Sequence, residues 1–344
     1  MAKWVECVPN FSEGQNIATI EHITAEILSA PGTRLLHVDR GVDANRTVVT
    51  FASNVDTAVE AGFRAISAAA DRIDMTCHKG VHKRIGATDV FPFVPLQNTT
   101  IDDCVFLAKS LAERVWTELR IPVYLYGKAA TSPTRIRVPD IRGAGYETLI
   151  NRIQTDEFKP DFGGNYLPPK HGATIIGARN FLIAYNINLN TTNVALAKEI
   201  AGAVRESGKK LRAENGRFMR DGHGRILRRP GTLKACQADG WLMPMYGMAQ
   251  VTMNLLSFEQ TGLHHAYEAV KAEAAKHGLS TQGSEIIGVV PKSAILEAGR
   301  YYTGDGVDQD ETLLIDAAVE NLGLSAVSTF VPELKIIENI MKCA

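Results

Sequence analysis

Between His78 and Pro95 the chain reads His-Lys-Gly-Val-His-Lys-Arg-Ile-Gly-Ala-Thr-Asp-Val-Phe-Pro-Phe-Val-Pro. Two imidazoles (His78, His82), a guanidinium (Arg84) and a carboxylate (Asp89) thus fall within twelve residues, just ahead of an apolar run broken by prolines. An imidazole ordinarily titrates at about 6.5, so either histidine can give or take a proton near neutrality. The segment suits proton transfer at the entrance to a strand. Metal binding is the rival reading, because His78 and His82 stand four apart, but Gly80 weakens a helix there and no nearby Cys or Glu supplies a third ligand. No metal site is expected.

Other chemistries lack their residues. The chain has no G-x-G-x-x-G after a strand, no G-x-x-x-x-G-K-[ST], no G-x-S-x-G and no H-E-x-x-H, which argues against dinucleotide dehydrogenases, P-loop enzymes, ordinary serine hydrolases and zincins. A formal net charge of -1 over 344 residues removes the electrostatic motive for generic nucleic-acid binding. Five cysteines, odd in number, scattered and without a C-x-x-C pair, predict neither a disulfide framework nor a zinc knuckle, and a reduced cytoplasm is expected. Met1 to Asn10 lacks a basic-then-apolar leader pattern, and no run approaches a membrane span, so a soluble, unprocessed protein is expected.

The elements that must position these residues follow from periodicity. Strands are predicted at Trp4 to Val8, Arg34 to Val38 (ending at Asp39), Thr47 to Ala52 and Val90 to Val94. Helices carry Ile17, Ile20, Ile23 and Ile27, then Val55, Val59, Phe63, Ile66 and Ala70. That order is βαββαβ. A helix around Leu107, Leu111 and Val115, capped by Thr100, and a strand at Val123 to Tyr126 are appended. The second half repeats the order in pattern, without identity of letters: a strand at Phe181 to Leu189, a helix from Val194 to Val204, strands around Leu233 to Leu242 and Ala249 to Leu255, a helix through Ala266, Val270 and Ala274, and a strand at Ile286 to Val290. The predicted fold class is α+β, two ferredoxin-like sandwiches facing each other across a cleft, with Arg142 to His171 as the bridge. The expected subdomains are 1–178 and 179–330, followed by a tail helix over 331–344.

Several blocks in order resemble one family: Glu6 to Gly14, Asp43 to Val48, His78 to Pro95, Pro122 to Gly127, Gly177 to Leu189 and Ala249 to Leu255. Together they are similar to glutamate formiminotransferases, the domain type that also forms the N-terminal part of formiminotransferase-cyclodeaminase. The resemblance spans about residues 4 to 340. It implies transfer of a formimino group from N-formimino-L-glutamate to N5 of tetrahydrofolate in histidine degradation, substrate bound between two ferredoxin-like halves, and a homodimer or larger assembly. It also implies that His82, the second histidine of the H-x-G-x-H motif, is catalytic. The folate-contacting loop would be Gly163, Gly164, Asn165, Tyr166, Leu167, Pro168, Pro169, Lys170, His171 and Gly172. Since the chain ends at Ala344, a separate cyclodeaminase is the expected partner in the pathway.

The chemistry can also be argued from the reaction. A protonated amidine carbon is already cationic, so attack by N5 needs a base and a nearby anion rather than an oxyanion hole; N5 must shed a proton and the leaving glutamate nitrogen must gain one. His82 is the expected shuttle. Asp39, ending its strand, is the candidate anion, and a turn-capping role competes with it about evenly. Arg46, Arg84 and Arg179 are the forks available for the carboxylates of the substrate, at least one of them serving a structural ion pair instead. Asn186 and Asn188 alternate with apolar residues on a strand, share a face and suit the polar edge of a pterin. The 163–172 loop offers backbone freed by glycine, Tyr166 for stacking and Lys170 for the acidic tail of folate; without the resemblance a bland linker of the same composition is the competing reading.

Two departures from the family pattern stand out. Lys83 replaces the usual proline after His82, freeing the backbone there. The stretch from Arg205 to Lys234 is long and carries ten Lys and Arg against three acids, a basic hairpin that is either a solvated insert or a landing strip for polyglutamate. Competing functions are a relative that uses N-formylglutamate or another formimino amino acid, a non-catalytic folate-binding module, and a metal hydrolase.

Overall fold

The computed structural model describes residues 2–42, 44–80, 83–143, 145–304 and 310–343. The chain is a mixed α+β protein that divides into two units, 1–180 and 181–344. Each is built from a sheet of strands packed against helices.

The first unit runs β1 (Trp4–Cys7), β2 (Asn10–Phe11), α1 (Ile17–Leu28), β3 (Thr33–Gly41), β4 (Arg46–Asn54), α2 (Ala58–Arg72), β5 (Thr88–Gln97), α3 (Ile101–Arg114), β6 (Val123–Gly127), α4 (Val138–Arg142), α5 (Tyr146–Arg152) and β7 (Thr174–Ala178). Local chemistry sets the helix starts. Asn16 accepts from the Thr19 amide at the head of α1, and Thr100 and Asp103 form a reciprocal capping box on α3. Helix α2 is rich in Ala and Gly on its inner side, and a Cβ on Gly62 would come within 2.9 Å of Leu111 and 3.0 Å of Phe91, so only a small residue lets helix, sheet and α3 pack this closely.

The sheet has seven strands in the order β1-β4-β2-β5-β7-β6, with β3 paired to β4. One face, bearing Val5, Cys7, Val49, Phe51, Phe91 and Phe93, buries against α1, α2 and α3. On the other face Val90, Tyr124, Tyr126 and Ile175 pack under Ile141, Leu149, Ile153 and Leu167. The segment 142–171, expected as a bridge, therefore belongs to the first unit: α5 and the chain after it supply a lid of apolar side chains to the sheet. The strand Thr174–Ala178 was not evident in the pattern because it is buried on both faces and parallel to β5 and β6, and such a strand shows no alternation.

The second unit runs β8 (Ile183–Leu189), α6 (Val194–Val204), β9 (Lys209–Lys210), β10 (Arg228–Arg229), β11 (Cys236–Met243), β12 (Met248–Leu255), α7 (Leu263–Ala275), β13 (Thr281–Ile287), α8 (Lys292–Thr303), α9 (Glu311–Leu322), α10 (Pro332–Lys335) and α11 (Ile337–Cys343). Its main sheet is antiparallel in the order β11-β12-β8-β13. Tyr185, Ile187, Val251 and Met253 face the helices, while Asn186, Asn188, Gln250 and Glu285 project from the opposite face. The basic stretch after α6 forms a small antiparallel pair, β9 with β10, and its tip turns the guanidinium of Arg212 over the Phe218 ring at 4.0 Å. Strand β13 begins five residues earlier than Ile286, and the helices α8 and α9 that follow it close the core of this unit.

Candidate functional site

The loop that carries the titratable residues is tied down by Arg84. Its Nε donates to His78 Nδ1 at 2.9 Å, Nη2 donates to the His78 carbonyl at 3.0 Å and Nη1 pairs with Glu147 at 2.8 Å. The side chain is buried, so these are charge-assisted bonds with little competition from water. A guanidinium only donates, which makes His78 Nδ1 an acceptor and places the ring proton on Nε2, 2.9 Å from the Asn45 carbonyl. Burial, with the charge of Arg84 adding to it, pulls the His78 pKa below its ordinary value. Asn45 sits at φ 47 between β3 and β4 and ties the loop from the other side, accepting from Gly14 N at 2.9 Å and donating to Lys79 O at 2.8 Å. Gly80 fits only as glycine, since a Cβ there would lie 2.3 Å from the Ala44 carbonyl. His82 lies outside the described residues, between two anchored flanks.

Asp89 is spent on structure. It is 1% exposed, accepts from Ile85 N at 3.0 Å and pairs with Arg142 Nη2 at 2.5 Å. Arg46 starts β4 on the same face as Asp39, whose register partner is Val48. Burial draws the Arg46 pKa down, with Asp89 and Asp39 opposing that fall, and its Nε has no partner among the described residues. On the same sheet face stands a residue the motif reading passed over, Glu6, which is 2% exposed beside Ala52 and Val94. Burial raises its pKa from 4.5 to about 7, against the pull of Arg179. Arg179 also bonds the Tyr126 hydroxyl and the Asn180 carbonyl. Asp39, Arg46, Glu6 and Arg179 thus belong to one face of one sheet.

The 163–172 segment is pinned rather than free. Lys170 O accepts from Met75 N, Pro169 O from the Tyr146 hydroxyl at 2.7 Å, and His171 O from Ala87 N, while Gly86 and Gly172 bridge. Leu167 plugs the apolar cluster beneath α5, and Lys170 Nζ donates to the Asp71 carbonyl near the end of α2 at 3.2 Å. Gly163, Gly164, Asn165, Pro168 and His171 complete this turn, and Tyr166 stands 69% exposed, with its ring available to stack.

In the second unit Asn186 and Asn188 do share a face, joined by residues the sequence did not single out. Cross-strand register sets Trp241, Gln250 and Asn188 in one row and Thr252, Asn186 and Glu285 in the next. Gln250 Nε2 donates to Asn188 Oδ1 at 2.7 Å and Glu285 Oε1 at 2.8 Å, Asn186 Nδ2 to Glu285 Oε1 at 3.3 Å, Tyr246 to Glu285 Oε2 at 3.2 Å, and Trp241 Nε1 to Gln250 Oε1 at 2.7 Å. The even-numbered polar alternation signals the face; the partners come only from the register.

Among the described residues no group of three His, Cys, Asp or Glu is placed to hold a metal, and no helix is long and apolar enough to cross a membrane. A surface hollow of about 570 Å³ lined by Arg135, Asn151, Arg152 and Glu157 contains none of the candidate residues.

A histidine loop clamped by arginine, a sheet face bearing carboxylate and guanidinium, and a pinned glycine-rich turn thus stand in a two-unit α+β protein. The sequence matches the profile of the formiminotransferase domain, N-terminal subdomain, over residues 4–179, and that of the formiminotransferase domain over 184–342. It is 41% identical over 347 residues to formimidoyltransferase-cyclodeaminase of Rattus norvegicus, covering 99% of this chain and 60% of that protein. To glutamate formimidoyltransferase of Thermoplasma acidophilum it is 41% identical, covering 90% of this chain and 95% of the relative; for the Streptococcus pyogenes enzyme the values are 38%, 88% and 94%. The chain spans about 60% of the length of the bifunctional relatives. It belongs to the formiminotransferase family.

Proposed function

We propose that this chain is a glutamate formimidoyltransferase that moves the formimino group of N-formimino-L-glutamate to N5 of tetrahydrofolate, releasing L-glutamate. The observation that supports this most is the match over nearly the whole length of the single-function relatives named for that activity. Tetrahydrofolate is a co-substrate in this reading, and no metal takes part. Each unit is read as a ferredoxin-like sandwich; for the second, the strand order β11-β12-β8-β13 around a βαββαβ chain supports that reading. A cytoplasmic homodimer, with deamination of the product left to a cyclodeaminase, completes the proposal.

N5 attacks the amidinium carbon, a C–N bond forms, and His82 takes the N5 proton as general base. It then returns that proton to the glutamate nitrogen as the old C–N bond breaks. Asp39, on the face that also bears Arg46, stabilises the cationic carbon and orients the imidazole. Arg46 has a donor to spare and Arg179 is partly exposed, so these two hold the substrate carboxylates. Arg84, whose donors already serve His78 and Glu147, acts on substrate only by holding the loop in place. The 163–172 turn and Asn186 with Asn188 receive folate.

The test is folate dependence. Incubation of purified protein with N-formiminoglutamate is expected to yield glutamate and 5-formiminotetrahydrofolate only when tetrahydrofolate is added, insensitive to chelator. Glutamate release without folate, or transfer from N-formylglutamate at an equal rate, overturns the assignment.

A further inference from the structure

The polar rows of the second sheet have a fixed hydrogen-bond direction. An indole N–H can only donate, so the oxygen of the Gln250 amide must face Trp241, and its nitrogen must point the other way. That nitrogen meets a carboxylate, Glu285, which only accepts here, and the two constraints agree. Since Gln250 Nε2 donates toward Asn188 at 2.7 Å, the atom of Asn188 that receives it must be the oxygen. Asn188 is therefore locked with Nδ2 on the far side. This side chain is 0% exposed and its Nδ2 has no hydrogen-bond partner among the described residues. A buried donor left unmade is costly, so Asn188 Nδ2 keeps its full capacity to donate to an incoming acceptor.

One row away the complementary function waits. Glu285 Oε1 already accepts from Gln250 and Asn186, but among the described residues Oε2 accepts only from Tyr246 at 3.2 Å, and a carboxylate has about four lone-pair directions. A spare donor and an acceptor with capacity left, on neighbouring strands one register row apart, suit a cis-lactam edge, a carbonyl oxygen adjoining a ring N–H. A 4-oxopteridine carries that edge at O4 and N3–H.

We propose that Asn188 Nδ2 and Glu285 Oε2 read the lactam edge of the pterin, with Gln250 and Trp241 as positioning residues that set the direction of the Asn188 amide. This rests on the folate reading above and adds to it the chemical selectivity of the site. In a 2,4-diaminopteridine the O4 acceptor becomes an amine donor and N3 becomes an acceptor, so donor meets donor and acceptor meets acceptor.

The experiment is calorimetric binding of tetrahydrofolate and its 2,4-diamino counterpart, under anaerobic conditions, to the wild type, Asn188→Asp and Trp241→Phe. The wild type is expected to favour the 4-oxo ligand at least about tenfold, the cost of one unmade buried bond. Asn188→Asp, which accepts where the amide donated, is expected to shrink that ratio about tenfold or invert it. Trp241 is 45% exposed, so Trp241→Phe keeps the fold and reports even where the buried variant does not, and its expected result is a narrowed ratio. A wild type that binds both pteridines alike, as it would if only a water satisfied Asn188, overturns the inference while leaving the transferase reading intact. So do variants whose ratio matches the wild type. Binding of neither pteridine overturns both.

Discussion

Arg84 Nε donates to His78 Nδ1 at 2.9 Å, and this bond commits the first histidine of the loop to holding structure. With Nδ1 filled by a donor and Nε2 committed to the Asn45 carbonyl, His78 is neutral and has no site left at which to carry a proton. Its pKa is depressed chiefly by burial, so the unfolded chain binds the proton more readily. The stability His78 contributes is thus present above its ordinary pKa of about 6.5 and is lost as pH falls below that value. His78→Ala is expected to cost about 1–3 kcal/mol of stability by stranding Arg84. Activity should fall, while the midpoint of the acid limb of the pH–rate profile stays where it was. Denaturant titration and a pH series check this, and disappearance of the limb in this variant would show that His78 titrates in catalysis.

Glu6 carries a different pH signature. Its carboxyl is raised from 4.5 to about 7 by burial, so between those values the folded chain holds a proton that the unfolded chain has lost. Stability therefore declines as pH rises through this window, by on the order of 3 kcal/mol in total. Glu6→Gln keeps the shape and removes the titration. The variant is expected to match the wild type near pH 4 and to exceed it in stability at pH 8, as measured by urea midpoints; parallel profiles contradict the assignment.

Gly172 lies at φ 69, and a Cβ there would sit 2.3 Å from the Ile85 carbonyl. Gly172→Ala must displace either the 163–172 turn or the strand entrance at Gly86. A loss of about 1–3 kcal/mol is expected, with a weakened affinity for folate. Lys170→Ala serves as the contrast: its amine is engaged by Asp71 O, so the variant should loosen the end of α2 and change the salt dependence of folate binding little. A large loss of salt dependence would mean that the lysine reaches the folate tail.

Much of this was legible in the chain. Strict alternation around Asn186 and Asn188 assigns both to one sheet face, and the Thr100 cap marks a helix start where the structure has it. The helix pattern of Ile20, Ile23 and Ile27 likewise appears as a buried stripe. What escaped was set by distant pairing. Glu147 meets Arg84 across 63 positions, and Gln250 meets Asn188 across 62, separations that no local pattern encodes. Glu6 looked like one polar letter in an apolar strand; its burial depends on where β4 and β5 flank it. Helices α8 and α9 were missed because their apolar positions serve a core assembled from the other elements of the second unit.

The central claim is that one imidazole, His82, moves the proton between the pterin nitrogen and the departing glutamate. Single-turnover transfer from N-formiminoglutamate to tetrahydrofolate, followed across pH 5 to 9 for the wild type and His82→Ala, tests it most directly. The account predicts a rate about 10²–10⁴ lower in the variant, with folate binding retained and the acid limb abolished. A variant that turns over at the wild-type rate, or that keeps the same acid limb, contradicts it.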